Sequence, residues 1–296
     1  MQSSTILVRH RPTLWERWAS RIRYRFGAWL TLVFLFLCAA LVLAPFAWVL
    51  ATSLRLPAES FSVPPQWIPL NPQLSNYAEV FERIPFWQQI LNSFTVSVSV
   101  VLGQLITASL AGYAFARLEF PFRNVLFWLV MATMMIPIQA TIIPVFILMS
   151  RYLGLGDTLA SLILPSLPTA FGTFLLRQYF MAIPNEFEEA AVIDGANPFQ
   201  VFYRIYLPLV SSGLAVLAVL TFNSHWNEFF RPLIFMITKE KFTIPLGLFD
   251  LQGFMMTGSI SVVLAGIVLS MIPVLIVYLF GQRYLIEGIM MGGVKA

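Results

Sequence analysis

Four of the fourteen acidic residues, Glu186, Glu188, Glu189 and Asp194, fall within nine consecutive positions of a 296-residue chain that is only 11% charged. Three glutamates in one helical turn complement the positive end of a helix dipole and suit docking into a partner's groove. Anionic lipid headgroups would repel them, which favours a protein partner over a membrane-surface helix. A second set, Asn223, Trp226, Asn227 and Glu228, lies in an otherwise apolar run. Amides and a carboxylate offer hydrogen-bond donors and acceptors to a polar solute, and an indole adds an aromatic face. An ionisable group at membrane depth is costly and is by default a functional candidate. The same residues can instead hydrogen-bond to neighbouring helices or mark the interface, a purely structural use.

Other chemistries lack their parts. His10, His225 and Cys38 are the only histidines and cysteine, which makes a conventional zinc or iron–sulfur site improbable and rules out an intrachain disulfide. No Gly-x-x-x-x-Gly-Lys-Ser/Thr loop occurs, so the phosphate cradle for binding ATP in the usual way is missing and any hydrolysis belongs to another polypeptide. The scattered His, Cys and Asp residues form no cluster of nucleophile, base or metal ligands, so no enzymatic activity is expected.

The elements that position these residues follow from composition. The chain is 58% hydrophobic, against about 45–50% for a soluble domain. Six apolar runs approach the roughly 20 residues needed to span a bilayer: Ala28–Ala51, Ile90–Ala116, Asn124–Met149, Thr158–Leu176, Leu209–Phe230 and Ser259–Gly281. They are continuous rather than alternating, which argues for helices and against an outer-membrane barrel. Prolines at 45, 137, 144, 165, 168 and 273 either bend helices to shape a cavity or reflect the ordinary tolerance of membrane helices for proline.

Basic residues set the orientation. With the N-terminus inside, Arg9, Arg11, Arg17, Arg21, Arg23, Arg25, Arg117, Arg123, Arg177, Arg204, Arg283 and Lys295 are cytoplasmic; the other six of the eighteen are external. Both termini are therefore expected in the cytoplasm, and the excess of positive charge needs no nucleic-acid partner. The basic N-terminus resembles a signal peptide, but its apolar run is about twice a signal core and no Ala-x-Ala site follows, so it is read as a retained span. Residues 1–27 are expected as a cytoplasmic N-terminus, 28–282 as the transmembrane domain, and 283–296 as a cytoplasmic tail. The domain includes an external proline- and aromatic-rich segment at 52–89 and a cytoplasmic loop at 177–208.

Within that loop, Asn185 is expected to cap a helix with Glu188 as its capping-box partner. Gly195 ends that helix. Asn197 caps a second one with Pro198 at its first position, and Pro208 stops further extension without a kink.

Glu189-Ala190-Ala191, Gly195, and Ile205-x-Leu207-Pro208 at their fixed spacing resemble the EAA signature of permease subunits of bacterial ABC importers. Six spans, a long first external segment, Tyr113-Ala114-Phe115-Ala116-Arg117 and Gly292-Gly293-Val294-Lys295 are similar to the shorter subunit of the maltose-type carbohydrate permeases. The resemblance implies an all-α fold, the type I ABC importer transmembrane domain with six transmembrane helices, in the bacterial cytoplasmic membrane. It implies a coupling helix docked on a separate ATPase. Glu189 would meet a basic residue there, Ala190 and Ala191 would allow close packing and Gly195 the turn. Glu188, Asp194, Ile205, Leu207 and Pro208 complete the coupling set, and the C-terminal tail reaches toward the ATPase pair. The implied partners are a second permease subunit, two cytoplasmic ATPase subunits, an external binding protein or lipoprotein, and the bilayer. No cofactor is bound directly, ATP with Mg being held by the ATPase. A di- or oligosaccharide is the expected solute, with polyols and glycerol-phosphate compounds as alternatives.

In the fifth span, 100° spacing puts Asn223, Trp226 and Asn227 on one face and Ser224, Glu228 and Arg231 on the next. Glu228 and Arg231 are spaced to pair, and His225 points away as a packing residue. A stand-alone secondary transporter is the rival class, but neither paired repeats nor a coupling-ion site is visible.

Overall fold

The computed structural model describes residues 14–56, 67–253 and 259–293. The first thirteen residues of the basic N-terminus, residues 57–66 of the external segment, and Val294 and Lys295 of the tail motif lie outside the described residues. Every regular element among the described residues is helical, as expected for a chain whose apolar runs are too long and continuous for strands.

Helix α1 (Leu14–Ser53) leads through the short α2 (Ser75–Arg83) to α3 (Phe86–Arg117), and the described chain ends in α14 (Ile260–Gly293). Stretches of 27, 32 and 25 residues in α1, α3 and α14 are long and apolar enough to cross a bilayer. Basic residues from Leu14 onward belong to the same helix as the first span, and α14 continues through the expected tail as far as Gly293.

The remaining three spans are bent pairs rather than straight rods. Helix α4 (Arg123–Ala132), prolonged to Met135, meets α5 (Ile138–Ile147) at 98°. Ile136, just before Pro137, is extended at φ −86, ψ 114, the conformation that a following proline ring imposes. The expected continuous span Asn124–Met149 is thus two helices. Helix α6 (Leu159–Ile163), prolonged to Ser166, meets α7 (Ala170–Met181) at 41° across Pro168. After α8 (Glu186–Ile193) and α9 (Pro198–Val201), a π turn at Phe202–Tyr206 and α10 (Leu207–Leu209) join α11 (Ser211–Trp226) at 72°. Helices α12 (Phe230–Phe235) and α13 (Ile244–Leu251) then precede α14. Pro45, Pro144 and Pro273 lie within unbroken helices, so only some of the prolines bend the chain.

The break at Pro168 frees backbone carbonyls that hydrocarbon cannot satisfy. Side chains one turn apart on α3 take them: Gln104 Nε2 donates to the Ser166 carbonyl at 2.8 Å and Thr107 Oγ1 to that of Leu167 at 2.8 Å. Gln104 Oε1 in turn accepts from Thr221 Oγ1 of α11 at 2.9 Å, so one carboxamide joins three spans.

Helix α3 is the centre of the bundle. It packs against α7 and α11, and α14 lies between α11 and α1. The α3–α7 seam is built on small residues. A β-carbon at Gly112 would stand 3.0 Å from the Arg177 nitrogen and 3.2 Å from the Leu176 carbonyl carbon, both backbone atoms. Small residues let membrane helices approach this closely. Gly112→Val should therefore part the two helices and cost about 3 kcal/mol or more, the upper end of overpacking penalties. The check is the yield of monodisperse protein in detergent, with Gly112→Ala intermediate; wild-type yield for the valine variant contradicts the seam.

Candidate functional site

The acidic stretch forms α8, and the turn after it closes as local chemistry requires. Gly195 has φ +83, a region that glycine enters without steric cost. Its N–H donates to the Val192 carbonyl at 3.0 Å, and the Ala196 N–H reaches back to the Ala191 carbonyl at 2.9 Å. These paired bonds satisfy the last carbonyls of α8 in the Schellman arrangement. On the other side, Asn197 Oδ1 accepts from the Gln200 N–H while Gln200 Oε1 accepts from the Asn197 N–H, both at 2.9 Å. This is a full capping box around Pro198.

The expected cap at Asn185 is not formed. Asn185 is itself helical and makes no capping bond; its Oδ1 accepts from Arg117 Nη1 at the end of α3 instead. A charged donor brought in by the tertiary fold outcompetes the local backbone N–H.

Burial sorts the coupling set into two faces. Ala191 is buried in an apolar cluster with Tyr113, Phe180 and Tyr206, and Ile205 and Leu207 pack against it. Glu188 also turns inward, its Oε2 accepting from the Tyr206 hydroxyl at 2.6 Å. Glu186, Glu189, Ala190, Asp194, Gly195 and Pro208 face outward. With them stand large apolar side chains that composition did not single out: Val192 is 58% exposed, Ile193 86% and Phe199 69%. Periodicity alone held the only signal for them, because they occupy the side of α8 and α9 away from Ala191 and Val201. An open groove of about 690 Å³ runs between α8 and the end of α3, lined by Ala116, Arg117, Glu119, Asn185, Glu189 and Val192 among others.

The polar set of the fifth span is brought together only in part. Helix α11 ends at Trp226, with Asn227 as its C-cap, so Glu228 lies beyond the helix. Asn223 and Asn227 do share an exposed face; Asn227 Nδ2 donates to the Asn223 carbonyl at 2.8 Å and to its Oδ1 at 3.1 Å. Trp226, expected beside them, faces the interior. It is 2% exposed, stacks on Phe222 at 5.4 Å, and donates through Nε1 to the Ser270 carbonyl of α14 at 3.1 Å. A buried indole N–H needs an acceptor, and α14 offers one on the core side. The expected Glu228–Arg231 pair forms at 3.1 Å. His225 is not a mere packing residue, since its Nδ1 lies 3.1 Å from Glu228 Oε2. Arg231 Nη1 donates further to the Leu162 carbonyl at 3.3 Å and to Ser166 Oγ. Glu228 is thus the middle of a chain of contacts that ties α11 to α6.

At the same end of the bundle, Asp157 holds the loop after α12. Its Oδ1 accepts from the N–H groups of Ile237 at 2.9 Å and Thr238 at 3.2 Å, and its Oδ2 accepts from Thr238 Oγ1 and from Lys241 Nζ at 3.1 Å. Burial pushes the Asp157 carboxyl up, but the hydrogen bonds from Thr238, Ile237 and Lys241 together outweigh it and hold the group well below the usual aspartate range. A lowered value means that the clamp stabilises the fold above the ordinary aspartate range and is released only as pH falls through the lowered one.

The family described as the binding-protein-dependent transport system inner membrane component matches residues 104–287. The arabinooligosaccharides transport system permease protein AraQ of Halalkalibacterium halodurans is 36% identical over 75% of this chain and 79% of its own length. The sn-glycerol-3-phosphate transport system permease protein UgpE of Escherichia coli is 34% identical over 88% of this chain and 96% of its own. Among solved structures, a chain of a bacterial ABC transporter involved in the import of the acidic polysaccharide alginate superposes with a TM-score of 0.74. It shares 31% identity and covers 88% of this chain and 96% of its own. The matched region contains the α8–Gly195–α9 loop, the bent α6–α7 and α10–α11 pairs and the Glu228 contacts, and this multi-pass membrane protein belongs to the family of binding-protein-dependent transport system inner membrane components.

Proposed function

We propose that this chain is one of two permease subunits of an ATP-driven importer in the bacterial cytoplasmic membrane, taking up a di- or oligosaccharide delivered by an external binding protein. The observation that carries this reading is the α8–α9 loop. It is a two-helix protrusion whose inner face is locked by Ala191, Tyr206 and the Glu188 bond, while its outer face presents Glu189 beside Val192, Ile193 and Phe199. Such a mixture of carboxylate and apolar knobs suits a cleft on a cytoplasmic ATPase, where a basic residue would meet Glu189. The missing phosphate-binding loop agrees with this division of labour.

Both termini are assigned to the cytoplasm, with α8 on that side and Asp157 and Arg231 toward the outside, in line with the distribution of basic residues. ATP-driven closure of the ATPase pair moves the loop and opens the pore outward, and hydrolysis resets it. This requires contacts that differ between the two states. Asn223 and Asn227, exposed on α11, are assigned to the solute path, with Glu228 behind them. The relatives named for arabinooligosaccharides and for alginate support a saccharide; the one named for sn-glycerol-3-phosphate favours a glycerol-phosphate compound as the second reading.

The test is co-purification in mild detergent from the native membrane, followed by identification of bound chains and ligand binding to the external component. A second permease, an ATPase and a saccharide-binding protein are expected. Solute uptake by the isolated chain, unaffected by deleting the ATPase, overturns the proposal.

A further inference from the structure

The guanidinium of Arg117, the last residue of α3, reaches several points along the chain around α8 and α9. Nε and Nη2 donate to the Phe180 carbonyl at 3.2 and 2.6 Å, Nη2 also reaches the Ile183 carbonyl, and Nη1 holds Asn185. Its Cζ lies 4.8 Å from the centre of the Tyr206 ring. Tyr206 is in turn bonded to Glu188, and Tyr113, one turn earlier on α3, packs on Tyr206 at 5.4 Å. One side chain therefore touches the chain entering α8, Asn185 just before its first residue, and the chain leaving α9.

The covalent routes into the loop are irregular, although the one leaving α9 is packed into the core at Phe202, Tyr206 and Val210. The chain enters α8 through an irregular turn at residues 182–185 and leaves α9 through a π turn and the short α10, followed by a 72° bend at Val210. Single π turns of this kind recur at functional sites. A push on α8 would be absorbed there unless another connection were stiffer. Arginine suits that connection because its planar fork meets several acceptors in fixed directions while stacking on an aromatic ring; lysine, a point donor, cannot do both.

We infer that Arg117 is the positioning residue that fastens the α8–α9 loop to the end of α3, so that displacement of the loop is passed to the central helix instead of being lost at the irregular turns. This rests on the reading that the loop docks on an ATPase.

The test uses the assembled transporter in vesicles, with the binding protein present and Cys38 replaced by serine. Spin labels at Glu119→Cys, beside the end of α3, and Phe187→Cys, on α8 and outside the set assigned to docking, report the gap across the groove; both side chains are exposed. The wild-type distance is expected to be narrow and unchanged when ATP is added. Arg117→Ala should broaden it and lower uptake per ATP hydrolysed about tenfold, a typical coupling free energy between sites, while the ATPase still co-purifies. Arg117→Lys should stay defective, and Tyr206→Phe, which loses only the bond to Glu188, should fall between. A wild-type distance that changes with ATP overturns the inference, as does a narrow distance in Arg117→Ala. Equal loss of uptake and hydrolysis with the ATPase released also overturns it, because Arg117 would then only shape the docking surface. Absence of any ATPase from the wild-type complex would instead overturn the functional proposal, while the spin-label distances would still report whether Arg117 fastens the loop.

Discussion

Gly195→Pro is expected to leave the permease folded in its membrane and to abolish ATP-driven uptake while hydrolysis continues. The backbone at 195 has φ +83, and proline is confined near about −65°. The variant therefore cannot close the turn, loses the Gly195 N–H bond to Val192, and disturbs the Ala196 bond to Ala191. The residue before it, Asp194, sits at φ −75, ψ 3, a region that a following proline disfavours. No atom lies within 4 Å of a β-carbon built at 195, so the effect is one of backbone direction and not of crowding. That makes a graded series possible. Gly195→Asn should be nearly silent, since asparagine tolerates the left-handed region, and Gly195→Ala should cost about 1–2 kcal/mol locally. Uptake and ATP hydrolysis measured side by side in reconstituted vesicles decide it; normal uptake by the proline variant removes Gly195 from the coupling path.

Glu228→Ala is expected to act on stability before it acts on transport. Its carboxylate stands between His225 and Arg231, whose side chains are only 11% and 13% exposed. Removing it leaves the guanidinium without its counter-charge, held only by Leu162 and Ser166, and breaking a largely buried pair from one side costs about 3 kcal/mol. The melting temperature in detergent should fall for Glu228→Ala and for Arg231→Ala. The double variant should lose less than the sum, because each single change already breaks the shared contact. Asn227→Ala differs. Its side chain is exposed and its bonds are to Asn223, so about 1 kcal/mol is at stake. Altered uptake or solute preference in Asn227→Ala, with a melting temperature lowered far less than in Glu228→Ala, supports the solute path. Unchanged kinetics there, with less-than-additive losses at Glu228 and Arg231, leaves these residues as ordinary helix contacts.

These two sites show how far local pattern reached. The turn at Gly195 and the cap at Asn197 are legible because every partner lies within about five residues; that Gln200 completes the box is seen only in the structure. Asn185 looked equally good as a cap by that standard, but Arg117, 68 residues earlier, takes its side chain. The pairing of Glu228 with Arg231 was readable from three-residue spacing. The bond from Arg231 onward to Leu162 and Ser166 was not, because it depends on how α6 lies against α11. Trp226 was placed with Asn223 and Asn227 by helical angle, which says what shares a sector of one helix and nothing about what that sector faces. The prolines teach the same lesson. Six were conspicuous and all were open to bending, yet the helix stays whole at Pro45, Pro144 and Pro273. At Pro168 the break is tolerated where Gln104 and Thr107 receive the freed carbonyls.

From the order of residues alone came the membrane class, the helical secondary structure, the two-helix acidic loop and the missing phosphate-binding loop. All follow from hydropathy over some twenty residues or from sterics and hydrogen bonds within a turn. Folding in three dimensions settled which way each side chain looks: Glu188 and Ala191 inward, Glu189 and Ile193 outward, Trp226 into the core and Arg117 onto the loop. Burial and charge pairing are set by neighbours 18 to 68 residues away in these contacts, and spacing along one helix carries no information about which neighbour arrives.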